Sequence, residues 1–358
     1  FIYLYHESFK SSLNYNLKGF ETMIKLDINK YLTSKTFNLD NVTYNNIKVL
    51  DMNLNQLKNV CKDFGFTTFL SESKSQTKLA KNLKELNMYS IGIAIAPYEL
   101  IKDFNNNNYH KDILDYLNYN GLDKIITTVC NNATISCKSN CVIFYSGNPC
   151  YIDAKQKAML NRKKLLLTNP MLFLAMYIRY IELKASYCLR NNLLLSIRFN
   201  ISSDIEYENI NIVYKNKVNT FSNISNELIQ QTKIDNDKDI ILKNYDYTKN
   251  FNRLVNKDYK FVYSVSDNDI NKTKIAINNG LSLAMVFDTK RNKDLPKTYK
   301  INNKVFKVID GDLHDYLPQH KEQCIIGLRF KYKAKDKKDK RLIELNKAIL
   351  SGFVRIAS

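Results

Sequence analysis

No tryptophan occurs in this 358-residue chain, and no apolar run approaches the roughly 20 residues that a membrane-spanning helix needs. The second absence excludes a helical membrane protein. The first goes with an abundance of Lys, Asn, Ile and Tyr, as in a very AT-rich coding sequence, so composition alone says little about partners. The start, FIYLYHESFK, carries no small-residue cleavage site, and no signal peptide is expected there. Paired CxxC motifs are missing, as is any internal repeat. The seven cysteines are an odd number without a targeting signal, and a chain this long needs no disulfide staples. A reduced, cytoplasmic setting is expected, where clustered thiols bind metal or do redox work. Acidic residues are also scarce: 35 Asp and Glu against 54 Lys and Arg leave a net charge of +19. Such a surplus draws a protein toward polyanions at low salt, so nucleic acid is one expected partner; a well-solvated basic surface is the plainer reading.

Hydrophobic residues make up 44% of the chain and charged ones 25%, ordinary for a globular protein. Residues 1–75 read as a helical or mixed N-terminal extension, with helical spacing in MNLNQLKNVCKDFGF (52–66) and a polar linker in SESKSQTK (71–78). Residues 76–358 read as the core. SIGIAIAP (90–97) is a buried-strand signal closed by Pro97. NNNNYHKD (105–112) reads as a loop, followed by a short helix that stops at Gly121. A basic helix covers 151–167, and Asn169 with Pro170 then caps and opens a long amphipathic helix. Further strands are predicted at 193–200, 239–247, 260–266, 281–287, 305–312 and 323–330. A polar, irregular crossover fills 214–238, and a basic run (331–341) precedes a final helix. Strands alternating with connections favour an α/β class with parallel pairing.

Cys130, Cys137 and Cys141 crowd together in VCNNATISCKSNC, and Cys150 follows in SGNPC. Three thiolates can hold a [4Fe–4S] cluster and leave one iron open; four, with Cys150, can close a tetrahedral zinc site. The alternative is a loop with incidental thiols. Cys61, Cys188 and Cys324 stand in apolar contexts and read as core thiols.

Predicted strands end repeatedly in polar residues: Asn200, Ser202, Ser203 and Asp204; Asp246, Thr248 and Lys249; Ser264, Ser266 and Asp267; Asp310, Asp312, His314 and Asp315. In parallel α/β folds the carboxyl ends of the strands share one mouth where ligands bind. Any one tip taken alone reads first as a cap or turn; it is the repetition at tip after tip that points to a ligand. VIDGDLHD offers carboxylates for a divalent cation, or ordinary turn acids. Lys155, Lys157, Arg162, Lys163 and Lys164 decorate the basic helix and read as a solvated face, with phosphate contact as the sharper alternative.

The chain from about residue 76 onward resembles a family of uncharacterised bacteriophage proteins. The matching pieces, in the family's order, are IAIAP, VCNNATISCKSNC, the basic helix before LLLTNP, RFNISSD, YDYTK, YSVSDND, LAMVF, VIDGDLHD, GLRFK and the terminal GFV. That family is distantly similar to phage proteins of the radical S-adenosylmethionine (SAM) type, through a cysteine cluster followed by Ser/Asp, Thr-Lys and Ser-rich tips. The resemblance implies an irregular or partial TIM-like barrel with a [4Fe–4S] cluster at its mouth and SAM as cofactor. It makes Cys130, Cys137 and Cys141 the cluster ligands, and lines the cofactor cleft with Ser203, Asp204, Thr248, Lys249, Ser264 and Ser266. The spacing departs from CxxxCxxC, and Asn131 stands where relatives carry Pro. No Gly-Gly-Glu-Pro strand end is present.

The expected site is therefore Asp204, Lys249, Asp310 and Asp312 as chemistry-bearing groups, Asn200, Ser203, Thr248, Ser264 and Ser266 around a cofactor, and Cys130, Cys137, Cys141 and Cys150 on metal. The expected activity is a radical SAM-like enzyme, acting on nucleic acid and, if phage-encoded, in the host cytoplasm. The alternative is a non-catalytic nucleic-acid-binding or assembly protein, with zinc or no metal.

Overall fold

The computed structural model describes residues 25–74, 77–100, 126–141, 153–233, 242–253, 258–290, 292–313, 316, 320, 322–331 and 338–357. A ten-stranded sheet forms its centre. Its strands are β1 (Ser71–Glu72), β2 (Met88–Ile93), β3 (Leu194–Asn200), β4 (Asn244–Thr248), β5 (Tyr259–Ser264), β6 (Ser282–Phe287), β7 (Thr298–Ile301), β8 (Lys304–Asp310), β9 (Ile325–Arg329) and β10 (Val354–Arg355). The spatial order is β7-β8-β9-β6-β5-β4-β3-β2-β1, with β10 beside β6. From β2 through β6 and on to β9, spatial order follows chain order, and every pair in that run is parallel. Only β1 against β2 and β7 against β8 are antiparallel. The path ends at β7 and β1, so the described strands form an open, largely parallel sheet within a mixed α/β fold; no closed barrel is seen among them.

Parallel strands buried on both faces need near-continuous apolar sequence. β2 is buried at every residue, and β3 at every residue but Arg198. Six helices matter to the site: α1 (Thr77–Leu86), α2 (Asp153–Thr168), α3 (Pro170–Arg190), α4 (Phe221–Gln230), α5 (Ile270–Asn278) and α6 (Lys338–Leu350). α3 starts as its sequence predicts, with the Asn169 side chain accepting from Leu172 N at 3.0 Å and Pro170 in the first turn. Its aromatic residues knit the core: Tyr180 stacks on Phe69 at 5.3 Å, and Tyr177 meets Phe199 and Tyr207 edge-on.

Two sequence expectations change here. The polar crossover over 214–238 contains α4, capped by Thr220, with Phe221, Ile224, Leu228 and Ile229 buried at helical spacing. The expected linker at 71–78 supplies an edge strand and the start of α1 instead. Its polar groups have partners: Glu72 pairs with Lys184 at 2.8 Å and accepts from the Tyr89 hydroxyl, while Ser73 N donates to Ser90 O at 3.0 Å. Residues before it join the common core, since Ile28, Leu32, Phe37, Leu57 and Phe69 pack in one continuous cluster with Phe173 and Phe199. The loop at 105–112 and the helix ending at Gly121 lie outside the described residues. Among the described residues no helix is long and apolar enough to cross a membrane.

Candidate active site

Parallel pairing places the carboxyl ends of β2 to β6 along one edge, and the cysteine loop is pinned to that edge. The short strand Ile126–Thr128 leads into it. Val129 N donates to Pro97 O beyond β2 at 2.9 Å, and Asp204 N beyond β3 donates to Val129 O at 2.6 Å. Cys130 Sγ donates to Ser202 O at 3.4 Å. Thr134 caps the short helix Ile135–Ser139 by accepting from Cys137 N at 3.3 Å. The Thr134 hydroxyl also meets Ser266 Oγ at 3.0 Å, and Ser136 Oγ donates to the Asp267 carboxylate, both beyond β5.

Cys130, Cys137 and Cys141 are in no disulfide and have intermediate exposure, unlike buried Cys61, Cys188 and Cys324. Burial pushes the Cys61 thiol up to about 11 and Cys188 to about 12, as inert core thiols require. Burial also pushes Cys130 well up, and charge on Asp204, Cys137 or Cys141 pushes it further; the three thiols stand in one another's fields. Among the described residues no group of three or more His, Cys, Asp or Glu converges closely enough to hold a metal ion. Cys150 lies outside the described residues.

Two lysines flank these thiols. Lys249 donates from Nζ to Ser264 O at 2.7 Å and from its backbone N to Asp204 Oδ2 at 2.9 Å. Burial holds its pKa below the ordinary lysine value, while Cys137, Asp267, Asp204 and Cys130 pull it back up. Lys163 on α2 is completely buried, and its charge pulls the Cys130 thiol down. This overturns the solvated-face reading for part of the basic helix. Arg162 is buried too, donating to Ala94 O at 3.0 Å and to Thr68 O at 2.6 Å. Leu165, Leu166 and Leu167 pull that stretch of α2 inward, whereas Lys155 and Lys157 remain exposed.

Beneath the thiols the strand tips are tied to one another. Asn200 Oδ1 accepts from Ser203 Oγ at 2.7 Å and Ile205 N at 2.9 Å, while its Nδ2 donates to Ile205 O at 3.0 Å and Asp246 Oδ2 at 2.9 Å. Thr248 Oγ1 accepts from Asn250 N at 2.9 Å. Asn200, Ser203, Thr248 and Ser266 are thus buried and bonded within the protein, holding the tips in shape; Ser264 keeps partial exposure. Asp246 accepts from Asn200 N at 2.7 Å and from the Tyr259 hydroxyl, yet burial pushes its carboxyl up to about 6.

Asp310 and Asp312 stand elsewhere. Two strands, β9 and β6, separate β8 from β5. Arg329 Nη1 lies 2.8 Å from Asp310 and 3.3 Å from Asp312, and Arg329 N donates to Asp312 at 3.1 Å. These carboxylates neutralise a guanidinium at the end of β9, which accounts for their spacing without a divalent cation. His314 and Asp315 lie outside the described residues.

Sequence reading placed Asp267 among the strand tips but not in the expected site, and missed Lys163, Arg253 and Glu208 as members of the mouth. Asp267 alone carried a signal, in the turn-rich SDND; Arg253 is brought in only by the fold, through its ion pairs with Asp204 and Glu208.

The family described as Gene product 88 matches residues 71–344, and the chain belongs to that family. The phage-style name agrees with the expected resemblance to bacteriophage proteins, and carries nothing of radical SAM chemistry. No curated protein and no solved structure matches the chain.

Proposed function

We propose that this member of the Gene product 88 family is an iron–sulfur enzyme of radical SAM-like type, in which Cys130, Cys137 and Cys141 hold a [4Fe–4S] cluster over the carboxyl ends of β2 to β6. The observation that carries the reading is the gathering of three partly exposed thiols from one short loop at that edge, with Lys163 and Lys249 beside them. A run of six parallel strands wound in chain order is the arrangement from which a partial TIM-like barrel is built. Three thiols on one loop match the number that a [4Fe–4S] cluster with one open iron requires.

When bound, the cluster would supply an open iron for the amino and carboxyl groups of SAM and an electron for its cleavage. The protein's part is electrostatic and geometric. Lys163 and Lys249 offset the negative charge of three thiolates. Asp204, fixed by Arg253 and by Lys249 N, holds the β3 and β4 tips together below them. The surplus of +19 makes nucleic acid the first substrate class to try.

The test is methionine release from SAM by anaerobically reconstituted, dithionite-reduced protein. Release that disappears in Cys137→Ala supports the proposal. Iron-loaded protein that leaves SAM intact overturns it, and salt-sensitive nucleic-acid binding that survives in the same variant would favour the binding scaffold.

A further inference from the structure

A close backbone contact lies behind the thiol loop. Asp267 adopts a left-handed φ of 62°, which Asp tolerates better than most residues but still at a cost. Its carboxylate accepts from Ser136 Oγ in the thiol loop, and its carbonyl accepts from Arg355 Nη2 at 2.7 Å. Gly352 presses on the same turn: a Cβ there would stand 2.6 Å from the Asp267 carbonyl carbon and 2.7 Å from Asn268 N. The C-terminal segment is itself anchored, with Val354 and Arg355 paired to β6 and Ala357 N donating to Asp288 at 2.8 Å.

A line of contacts therefore runs from β6 through residues 352–357 to Asp267, and from Asp267 and Ser266 to Ser136 and Thr134, just ahead of Cys137. We propose that Asp267 is a positioning residue for the thiol loop, clamped in its left-handed turn by the C-terminal segment. The purpose of the clamp rests on the iron–sulfur reading above; the mechanical link does not. The Asp267 carboxylate also lies in the fields of Lys249 and Arg355, which favour its placement between loop and tail. A glycine would take up this backbone angle more easily, but it could not hold Ser136.

The test is iodoacetamide modification of the metal-free, full-length protein, with each cysteine followed by peptide mass mapping. Asp267→Gly keeps the backbone angle and removes the carboxylate. It is expected to speed Cys137 and Cys141 modification by about fivefold or more, with Cys61 and Cys188 as slow as before. Asp267→Asn, which still accepts from Ser136, is expected to restore the parent rates. Gly352→Ala, which pushes the tail off the turn, is expected to behave like Asp267→Gly and decides the matter if that variant does not fold. Unchanged rates in the variants, or an acceleration shared equally by Cys61 and Cys188, would overturn the proposal. A chain that never takes up iron would sink the enzyme reading and leave this one standing.

Discussion

Arg253 and Asp204 meet 3.1 Å apart with side chains only 3% and 4% exposed. The same guanidinium reaches Glu208 at 2.9 Å, donates to Ile205 O at 3.0 Å and lies over the Phe261 ring. One cation thus serves two carboxylates beneath the proposed cluster, and that imbalance governs how this region responds to mutation and pH.

Arg253→Met leaves Asp204 and Glu208 buried without their shared counter-charge. Breaking one side of a buried ion pair costs about 3–5 kcal/mol. Urea unfolding is expected to show a loss of that order, and a loss below about 1 kcal/mol would mean the pair is no more than a surface contact.

Burial outweighs the pull of Arg253 and pushes the Glu208 carboxyl from its ordinary 4.5 up to about 7. The folded chain therefore binds this proton more tightly than the unfolded chain. The destabilisation from the ionised side chain is absent below about pH 4.5, grows through the window up to 7, and is complete above it. Asp246, raised from 3.8 to about 6, acts in the same direction. Glu208→Gln is thus expected to be more stable than the parent at pH 8, by up to about 3 kcal/mol. The advantage should shrink steadily as pH falls toward 5. A difference between variant and parent that is constant over this range contradicts the assignment; comparing the two at each pH removes the effect of the net charge.

Gly92 lies on β2 beside β3, and a Cβ there would lie 2.4 Å from the Arg198 carbonyl oxygen. The obstructing atom is backbone, so relief requires the strands to part next to the register shift at Gly92 and Ile93. Gly92→Ala is expected to cost about 2–3 kcal/mol by overpacking, read from thermal unfolding. A neutral outcome would show that β2 and β3 are spaced more widely here.

Asp310 and Asp312 are expected to matter for the β8–β9 end alone. Asp310→Asn with Asp312→Asn weakens their pairing with partly exposed Arg329, at a cost of about 1 kcal/mol or less. Iron uptake by the double variant should equal that of the parent. Iron loss on this substitution would return these carboxylates to the metal site.

Much of the fold was legible because the strands are doubly buried and read as apolar runs, and because Asn169-Pro170 marks the start of α3 unambiguously. α4 was hidden by its Ser and Asn content, which masked four buried apolar positions at helical spacing. β1 was hidden because its two residues are polar, and their ion-pair and hydroxyl partners come from α3 and β2. At the site, the cysteine loop and the Lys249 and Asp204 tips were readable from residue type. The roles of Asn200, Ser203 and Thr248 were not, since a polar tip that grips a ligand and one that grips its neighbour have the same sequence. Lys163 illustrates the limit: a lysine among lysines on a basic helix gives no sign that its turn of helix is buried, with its charge felt by a thiol.

The central claim is that Cys130, Cys137 and Cys141 together hold an iron–sulfur cluster. Its most direct test is iron and acid-labile sulfide per chain, with the absorption spectrum, after anaerobic reconstitution of the parent and of the Cys130→Ala, Cys137→Ala, Cys141→Ala and Cys150→Ala variants. The account predicts about four iron and four sulfide per parent chain, lost with any of the first three substitutions and kept with the fourth. A colourless, folded parent that takes up no iron would contradict it.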